Sequence, residues 1–386
     1  MLPDLIGQLK LETYNFSSHS VSDREKIICG FDFKNLESIE RFKKYGVKDL
    51  VPFVTCGRIE FIYFSDRFLG FDGFEKLSDF DAIEHLVSVV SGVNSLVVGE
   101  TQIVSQFKKA FYDAISAGLA TTKIFSIFSE VMRIEKRVRS EINIPSLSFG
   151  SVVKSKSLEI FGDISDKVLF VIGTGEVAHD IYRISKNFKK TLIFSRKKDR
   201  AEQKVKKIQE FFGADSEFIC SIEQGIEIAD VVVVATGHFG FLIKPDFVKN
   251  INKKKKIFFD LSVPRNISPD VCNNENILLY NVDSFRRTVA DFETIELAKK
   301  IIKSEIDKLK FRVEMERKVK DIATLKSDFQ KIITDYTKKY LNIPEDEIED
   351  FSKSLSNRLL ARFFEDMKSA DIFTDSQEIR SFKKSK

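Results

Sequence analysis

The chain contains no tryptophan, four histidines, four cysteines and no glycine after Gly240. Each shortage excludes something. Cys29, Cys56, Cys220 and Cys272 lie far apart with no CxxC pair, which excludes a zinc ribbon of the usual spacing and argues against a disulfide scaffold. His19, His85, His179 and His238 are equally scattered, so no metal site is expected. No apolar run approaches the roughly 18–20 residues needed to span a bilayer. The opening MLPDLIGQLKLE has no basic segment followed by an apolar core, so no signal peptide is expected. A soluble, cytoplasmic protein is the expectation, with no membrane partner. Positive charge is in short supply too. Lys+Arg total 62 against 58 Asp+Glu, a net charge of +4, which argues against a polybasic nucleic-acid binder. Glycine supplies tight turns and close backbone approaches, so any ligand loop built on it must precede Gly240.

What is present suits ordered cores: 43% of the 386 residues are hydrophobic and 37 are phenylalanine. At roughly 150 residues per domain the length suggests two or three domains. The middle third has the clearest pattern. Short apolar runs at Lys167–Ile172, Thr191–Phe194, Asp230–Thr236 and Lys256–Leu261 read as buried strands. Helix-like stretches at Val177–Ile184 and Asp199–Phe212 alternate with the first of them, predicting a parallel, doubly wound sheet. Residues 1–144 are less regular. Asp49–Thr55 and Ile59–Phe64 read as strands, 14–25 as a strand end feeding a capped helix, and Asp79 to Glu141 as helical with Asp79 or Asp81 at the N-cap. An α+β domain is expected there. From Ser284 to Leu341 no proline or glycine intervenes, and Ile295, Ala298, Ile302, Ile306, Leu309 and Val313 mark one apolar stripe. That segment predicts one long helix, a spine or an oligomerisation element. The stretch from Pro344 onward suggests one or two further helices. The basic run Lys253–Lys256 reads as a solvated loop before a strand.

Gly173-Thr174-Gly175-Glu176-Val-Ala178 follows a predicted strand and opens a predicted helix, the context that makes a G-x-G-x-x-A motif a dinucleotide loop. Gly173 permits the turn, Gly175 the approach to a pyrophosphate, and Ala178 close helix-on-strand packing. The second strand ends in Ser195-Arg196-Lys197 where NAD sites usually carry an acid. A hydroxyl and adjacent cations suit a 2′-phosphate, so NADPH is favoured over NADH. Cys56 sits in Val54-Thr55-Cys-Gly57-Arg58, where the cation two residues on would lower the thiol pKa. On this evidence alone Cys56 reads more readily as a buried structural cysteine, and His85 as an ordinary helix histidine.

Thr55-Cys-Gly-Arg58 resembles the active-site T-C-N-R of glutamyl-tRNA reductases. His85-Leu-Val-Ser-Val-Val-Ser-Gly-Val-Asn-Ser-Leu-Val-Val-Gly-Glu-Thr-Gln-Ile103 is similar to that family's H-L-x-x-V-x-S-G-L-x-S-x-x-x-G-E-x-Q-I motif. Asn15 to Glu25, Arg137-Val-Arg139, the Gly173 loop, Ala229–Thr236, Asp260-Leu-Ser-Val-Pro-Arg265 and Tyr280–Asp283 match in order, covering roughly residues 10–320. The departures are Gly57, where the family usually has Asn, and Phe16, where an N-terminal His is common. The C-terminal region carries no family motif.

The resemblance implies an α/β multidomain enzyme: a catalytic domain over 1–144, a Rossmann-like NADPH domain over 145–283, and a spinal helix with a helical dimerisation domain over 284–386. It implies NADPH-dependent reduction of glutamyl-tRNA(Glu) to glutamate-1-semialdehyde through a thioester on Cys56, at the first committed step of tetrapyrrole biosynthesis. His85 would polarise the carbonyl or manage a proton. Arg58 would hold the substrate's side-chain carboxylate, and Thr55, Ser95, Glu100 and Gln102 would contact the glutamyl moiety. Pro264-Arg265 and Asp283, where the sheet hands over to the spine, would set how the nicotinamide domain reaches Cys56. A homodimer is implied, with hand-off of the semialdehyde to its aminomutase. The alternatives are a small-molecule NADPH oxidoreductase on the same Rossmann core and a non-catalytic relative.

Overall fold

The computed structural model describes residues 2–30, 47–100, 102–142, 148–251, 254–285, 292–341 and 344–369. Two compact units result, one of Asp4–Ile306 and the other of Met1–Pro3 with Asp307–Lys386.

The larger unit holds two sheets. The first is antiparallel: β1 (Leu9–Asn15), β2 (Lys48–Val54), β3 (Arg58–Phe64) and β4 (Glu75–Ser78), in the order β2-β3-β1-β4. β1 and β3 are buried at every position. A strand covered on both faces places its polar residues inside, where each requires a partner. Glu12 shows the solution, accepting hydrogen bonds from the Tyr63 hydroxyl and the backbone N–H groups of Gly70 and Phe71. Around this sheet lie α2 (Val21–Gly30), α3 (Asp79–Val90), α4 (Gln102–Ser116) and α5 (Phe125–Glu141), after a short α1 (Leu2–Gln8). α2 starts in a capping box in which Ser20 and Asp23 each accept from the other's backbone N–H. The cap of α3 differs from expectation: it falls on Ser78, leaving Asp79 and Asp81 in the first turn, where they complement the helix dipole.

The second sheet is wholly parallel. Its strands are β5 (Val168–Ile172), β6 (Lys190–Phe194), β7 (Ser216–Phe218), β8 (Val231–Val234), β9 (Lys256–Asp260) and β10 (Ile277–Asn281). The order β7-β6-β5-β8-β9-β10 is the 3-2-1-4-5-6 order of a doubly wound dinucleotide-binding sheet, with its switch point between β5 and β8. α6 (Phe149–Phe161), α7 (Glu176–Tyr182), α8 (Lys198–Phe212) and α9 (Ile222–Ile228) pack on it. Valines at all four positions of β8 leave it buried throughout, as a central parallel strand requires. Lys256 corrects one expectation. It opens β9, is buried, and its ammonium donates to the carbonyls of Ile226 and Glu227 at 2.9 Å, capping the C-terminus of α9. Lys254 and Lys255 are exposed; Lys253 lies outside the described residues.

α10 runs from Phe292 to Tyr340, 49 residues, or about 74 Å at 1.5 Å per residue. It starts later than Ser284 because Val282–Phe285 forms a 3-10 turn that buries Phe285 against Phe149 and Phe259. Ala298, Ile302, Ile306, Leu309 and Val313 are all buried, as the stripe implied. α11 (Glu345–Ser369) follows.

Candidate active site

Cys56 sits at the tip of the connection between β2 and β3. The Thr55 N–H donates to the Arg58 carbonyl at 2.9 Å, and the Thr55 hydroxyl accepts the Gly57 N–H at 3.2 Å, so Thr55 shapes the turn. Space over Gly57 is tight: a Cβ there would stand 3.0 Å from a Leu96 methyl and 3.4 Å from the Phe16 ring. The two departures from the family pattern therefore touch, and Phe16 also donates its N–H to the Gly57 carbonyl at 2.8 Å. Half-buried at the edge of the parallel sheet's core, the Cys56 thiol is pushed up to about 12. Burial is the main cause and the Glu100 carboxylate adds to it, outweighing the cations Arg24 and Arg58. Arg58 pulls the thiol down, as expected, but burial and Glu100 outweigh it. At neutral pH the thiol keeps its proton.

Arg58 is 1% exposed, and its guanidinium is committed within the protein. Nη1 donates to Glu60 Oε1 at 3.0 Å and Nη2 donates to the Asn94 carbonyl. A free fork for a substrate carboxylate is not what the structure holds. Glu60 Oε1 also accepts the Thr13 hydroxyl at 3.0 Å and lies 2.7 Å from His85 Nε2. Burial alone would raise the Glu60 pKa, but its contacts with His85 and Arg58 win and hold it at about 2. An ionised carboxylate only accepts, so His85 carries its proton on Nε2 and leaves Nδ1 as its working atom. Glu60 gives no motif-like signal in the sequence. Its only mark is alternation: it follows Arg58 by two in a strand, on the same face.

Glu100 arrives at Cys56 from the loop after α3. Gly92 has φ +82°, and a Cβ there would meet the Gly99 backbone at 3.0 Å, so two glycines close that loop and set Glu100 at its end. Arg139 supports it, its Nη2 donating to the carbonyls of Glu100 and Val90 at 3.2 Å. The Glu100 carboxyl is buried, beside Asp180, and both effects raise it to about 7 against the pull of Arg58. No hydrogen bond to this carboxyl is found among the described residues. The Ser95 hydroxyl and the Gln102 amide nitrogen turn to backbone carbonyls. The Ser95 hydroxyl donates to the Val89 carbonyl, and Gln102 Nε2 donates at 3.3 Å to the Glu176 carbonyl on the first turn of α7.

The dinucleotide cradle opens at the switch point as a cavity of about 620 Å³. Gly173, Thr174 and Gly175 line one wall, Ser195, Arg196, Lys197 and Arg200 another, and Thr236 and His238 a third. Gly173 has φ +128°, and a Cβ there would lie 2.1 Å from the Ala235 carbonyl oxygen. No side chain is tolerated. Gly175 faces open space, which leaves backbone accessible to a pyrophosphate. Ala178 is on the buried face of α7, while Glu176 is exposed and outside the cavity wall. Arg200, Thr236 and His238 escaped the sequence reading because they lie outside the G-x-G-x-x-A loop and the basic triplet. The residues present fit a phosphorylated dinucleotide: bare backbone at the turn, and a hydroxyl with three cations at the end of β6.

Residues 13–142 match the glutamyl-tRNAGlu reductase N-terminal domain family, and residues 155–288 the shikimate/quinate 5-dehydrogenase family. A glutamyl-tRNA reductase of Methanocaldococcus jannaschii is 29% identical over 90% of this chain and 96% of its own length. One from Geobacter metallireducens is 30% identical over 72% of this chain and 68% of its own. A solved glutamyl-tRNA reductase from Methanopyrus kandleri aligns over 97% of both chains, with 22% identity and a TM-score of 0.47. From the N-terminal family match and the identity to these relatives over most of the chain, it follows that this protein belongs to the glutamyl-tRNA reductase family of oxidoreductases.

Proposed function

We propose that the chain reduces glutamate esterified to tRNA(Glu) to glutamate-1-semialdehyde with NADPH, through a thioester on Cys56, as the first committed step of tetrapyrrole biosynthesis. The observation that carries this reading is the joining, in one compact unit, of a cysteine loop and a dinucleotide cradle. The Cys56 thiol must lose its proton to attack. Glu100 is the carboxylate whose charge that thiol feels, and with a pKa of about 7 it suits the role of acceptor at neutral pH. Sulfur then bonds to the acyl carbon, the ester C–O bond breaks, and the tRNA ribose oxygen leaves with a proton. His85, oriented by Glu60 through Nε2, manages that proton at Nδ1. A thiolate is both a good nucleophile and a good leaving group, which suits an acyl group that must be accepted and then released.

The bound dinucleotide supplies a hydride, two electrons and a proton nucleus, to the acyl carbon. Cys56 then departs as C–S breaks, and the aldehyde is freed. Ser195, Arg196 and Lys197 would hold the 2′-phosphate, with Gly173 and Gly175 against the pyrophosphate. Arg58 acts on the substrate through Glu60 and His85 instead of gripping its carboxylate. A homodimer is supported by apolar residues left exposed on α10 and α11, among them Ile332, Tyr336 and Tyr340. The semialdehyde is reactive, so direct hand-off to its aminomutase fits the chemistry.

The test incubates the full chain with glutamyl-tRNA and NADPH. Semialdehyde should form and should vanish in Cys56→Ser. Reduction of free glutamate would favour a small-molecule oxidoreductase, and binding of the charged tRNA without turnover a non-catalytic relative.

A further inference from the structure

Two ion pairs on α2, one with Arg24 buried and one half-buried, have no assigned step in the chemistry above. Arg24 is fully buried, and its guanidinium reaches three ways. Nε donates to the Cys56 carbonyl at 3.2 Å, Nη1 to the His19 carbonyl at 2.7 Å, and Nη2 to Asp283 Oδ1 at 2.7 Å. Asp283 lies just beyond β10, and its Oδ2 accepts the N–H of Val21, the first residue of α2, at 2.6 Å. The neighbouring Glu25 receives Arg265 as a fork, Nε to Oε1 at 2.8 Å and Nη2 to Oε2 at 2.9 Å. The loop carrying Arg265 is folded over Asp260, whose carboxylate accepts the N–H groups of Ser262, Asn266 and Ile267. Asn266 in turn accepts from the Thr236 hydroxyl and donates to the His238 carbonyl at 2.8 Å. Thr236 and His238 line the dinucleotide cavity. Hydrogen bonds at Asn266, Arg265 and Arg24, joined by the peptide bonds Arg265–Asn266 and Arg24–Glu25, therefore connect that cavity wall to the backbone of Cys56.

Apolar packing would hold α2 in place at least as strongly, because buried ion pairs recover little beyond their desolvation. What these pairs add is register. Adjacent residues of opposite sign, Arg24 and Glu25, meet partners of crossed sign, Asp283 and Arg265, so a one-residue slip opposes like charges. We propose that Arg24–Asp283 and Glu25–Arg265 are positioning pairs that fix the acyl group on Cys56 against the dinucleotide cavity, and that reduction depends on them while acylation does not. The inference rests on the reading that Cys56 carries the acyl group. Acylation needs only the cysteine loop and its proton acceptor. Hydride transfer needs two domains aligned to a fraction of an ångström. A thioester held out of register persists until water adds to its carbonyl and C–S breaks, giving glutamate and the free thiol.

The experiment compares full-length wild type with Asp283→Asn, Glu25→Gln and Arg265→Lys, the last keeping the charge and losing the fork. Glutamyl-tRNA is supplied with saturating NADPH, and semialdehyde, free glutamate and released tRNA are counted. Iodoacetamide labelling of Cys56 and circular dichroism report the loop and the fold. The expected result is a semialdehyde-to-glutamate ratio lower by about 10- to 100-fold in the variants, with tRNA release, labelling and fold close to wild type. An unchanged ratio, or tRNA release and semialdehyde falling together, would overturn the proposal. Wild type releasing tRNA without any dependence on Cys56 would instead overturn the thioester reading, and with it the basis of the tie.

Discussion

Arg58 and Arg196 both follow the end of a strand and both belong to the candidate site, yet they work differently. Arg58 is buried, with one nitrogen on Glu60 and one on the Asn94 carbonyl. Arg196 is exposed, lines the dinucleotide cavity and forms no salt bridge among the described residues. The same contrast separates the two regions. Around Cys56 the charged groups answer one another inside the protein. Around the cradle, backbone and exposed cations face an open cavity.

The largest expected effect tests the buried side. Arg58→Ala leaves the Glu60 carboxylate in the core with a partner removed, which should cost about 3–5 kcal/mol in urea unfolding. A loss no greater than that of an exposed arginine would end the contrast. Glu100→Gln follows. Its carboxyl is raised to about 7 when folded, against 4.5 for an ordinary glutamate, so the folded chain binds the extra proton between those values. Stability is then lost as pH rises through about 7, and the variant should be more stable than wild type at pH 8 by up to about 3 kcal/mol, with little difference at pH 4. The same variant should move the pH midpoint of Cys56 alkylation down from about 12, because the Glu100 charge helps hold it there, while slowing semialdehyde formation. An unmoved midpoint would remove Glu100 from the thiol's surroundings.

On the cradle side the effects are smaller and fall on binding. Gly173→Ala places a Cβ against the Ala235 carbonyl, so dinucleotide affinity by fluorescence titration should drop by about 10- to 100-fold, the equivalent of the 1–3 kcal/mol typical of overpacking. Arg196→Ala should be the mildest. It should change stability by less than about 0.5 kcal/mol and raise the NADPH KM roughly tenfold with little change for NADH, the loss of one charge-assisted contact. Equal effects on both cofactors would take the 2′-phosphate from Arg196.

What was legible in the sequence follows the same division. The parallel sheet and its loop rest on neighbours in the chain: an apolar run, two glycines and a basic triplet say nearly all that β5, α7 and the end of β6 do. The edge strand β7 carries no such run, Ser216–Phe218 being three residues with a glutamate at the centre. Cys56 and His85 were legible through their long motifs. Their electrostatics were not, because the sign of the thiol shift depends on burial and on Glu100, which is 44 positions along the chain. Glu60 joins His85 across 25 residues and Arg24 joins Asp283 across 259, separations at which no local pattern survives. Lys256 looked like solvated charge because a run of lysines does not show which one turns inward to cap a helix.

The contact between Gly57 and Phe16 has a practical consequence for anyone exchanging residues among relatives of this protein. An asparagine introduced at 57 by itself meets Leu96 and the Phe16 ring, and a histidine at 16 by itself leaves the space over Gly57 unfilled. Position 16, position 57 and the side chain at 96 form one packed cluster. A graft of the family's usual residues into this chain succeeds or fails as that set, and single swaps would measure a mismatch instead of a function.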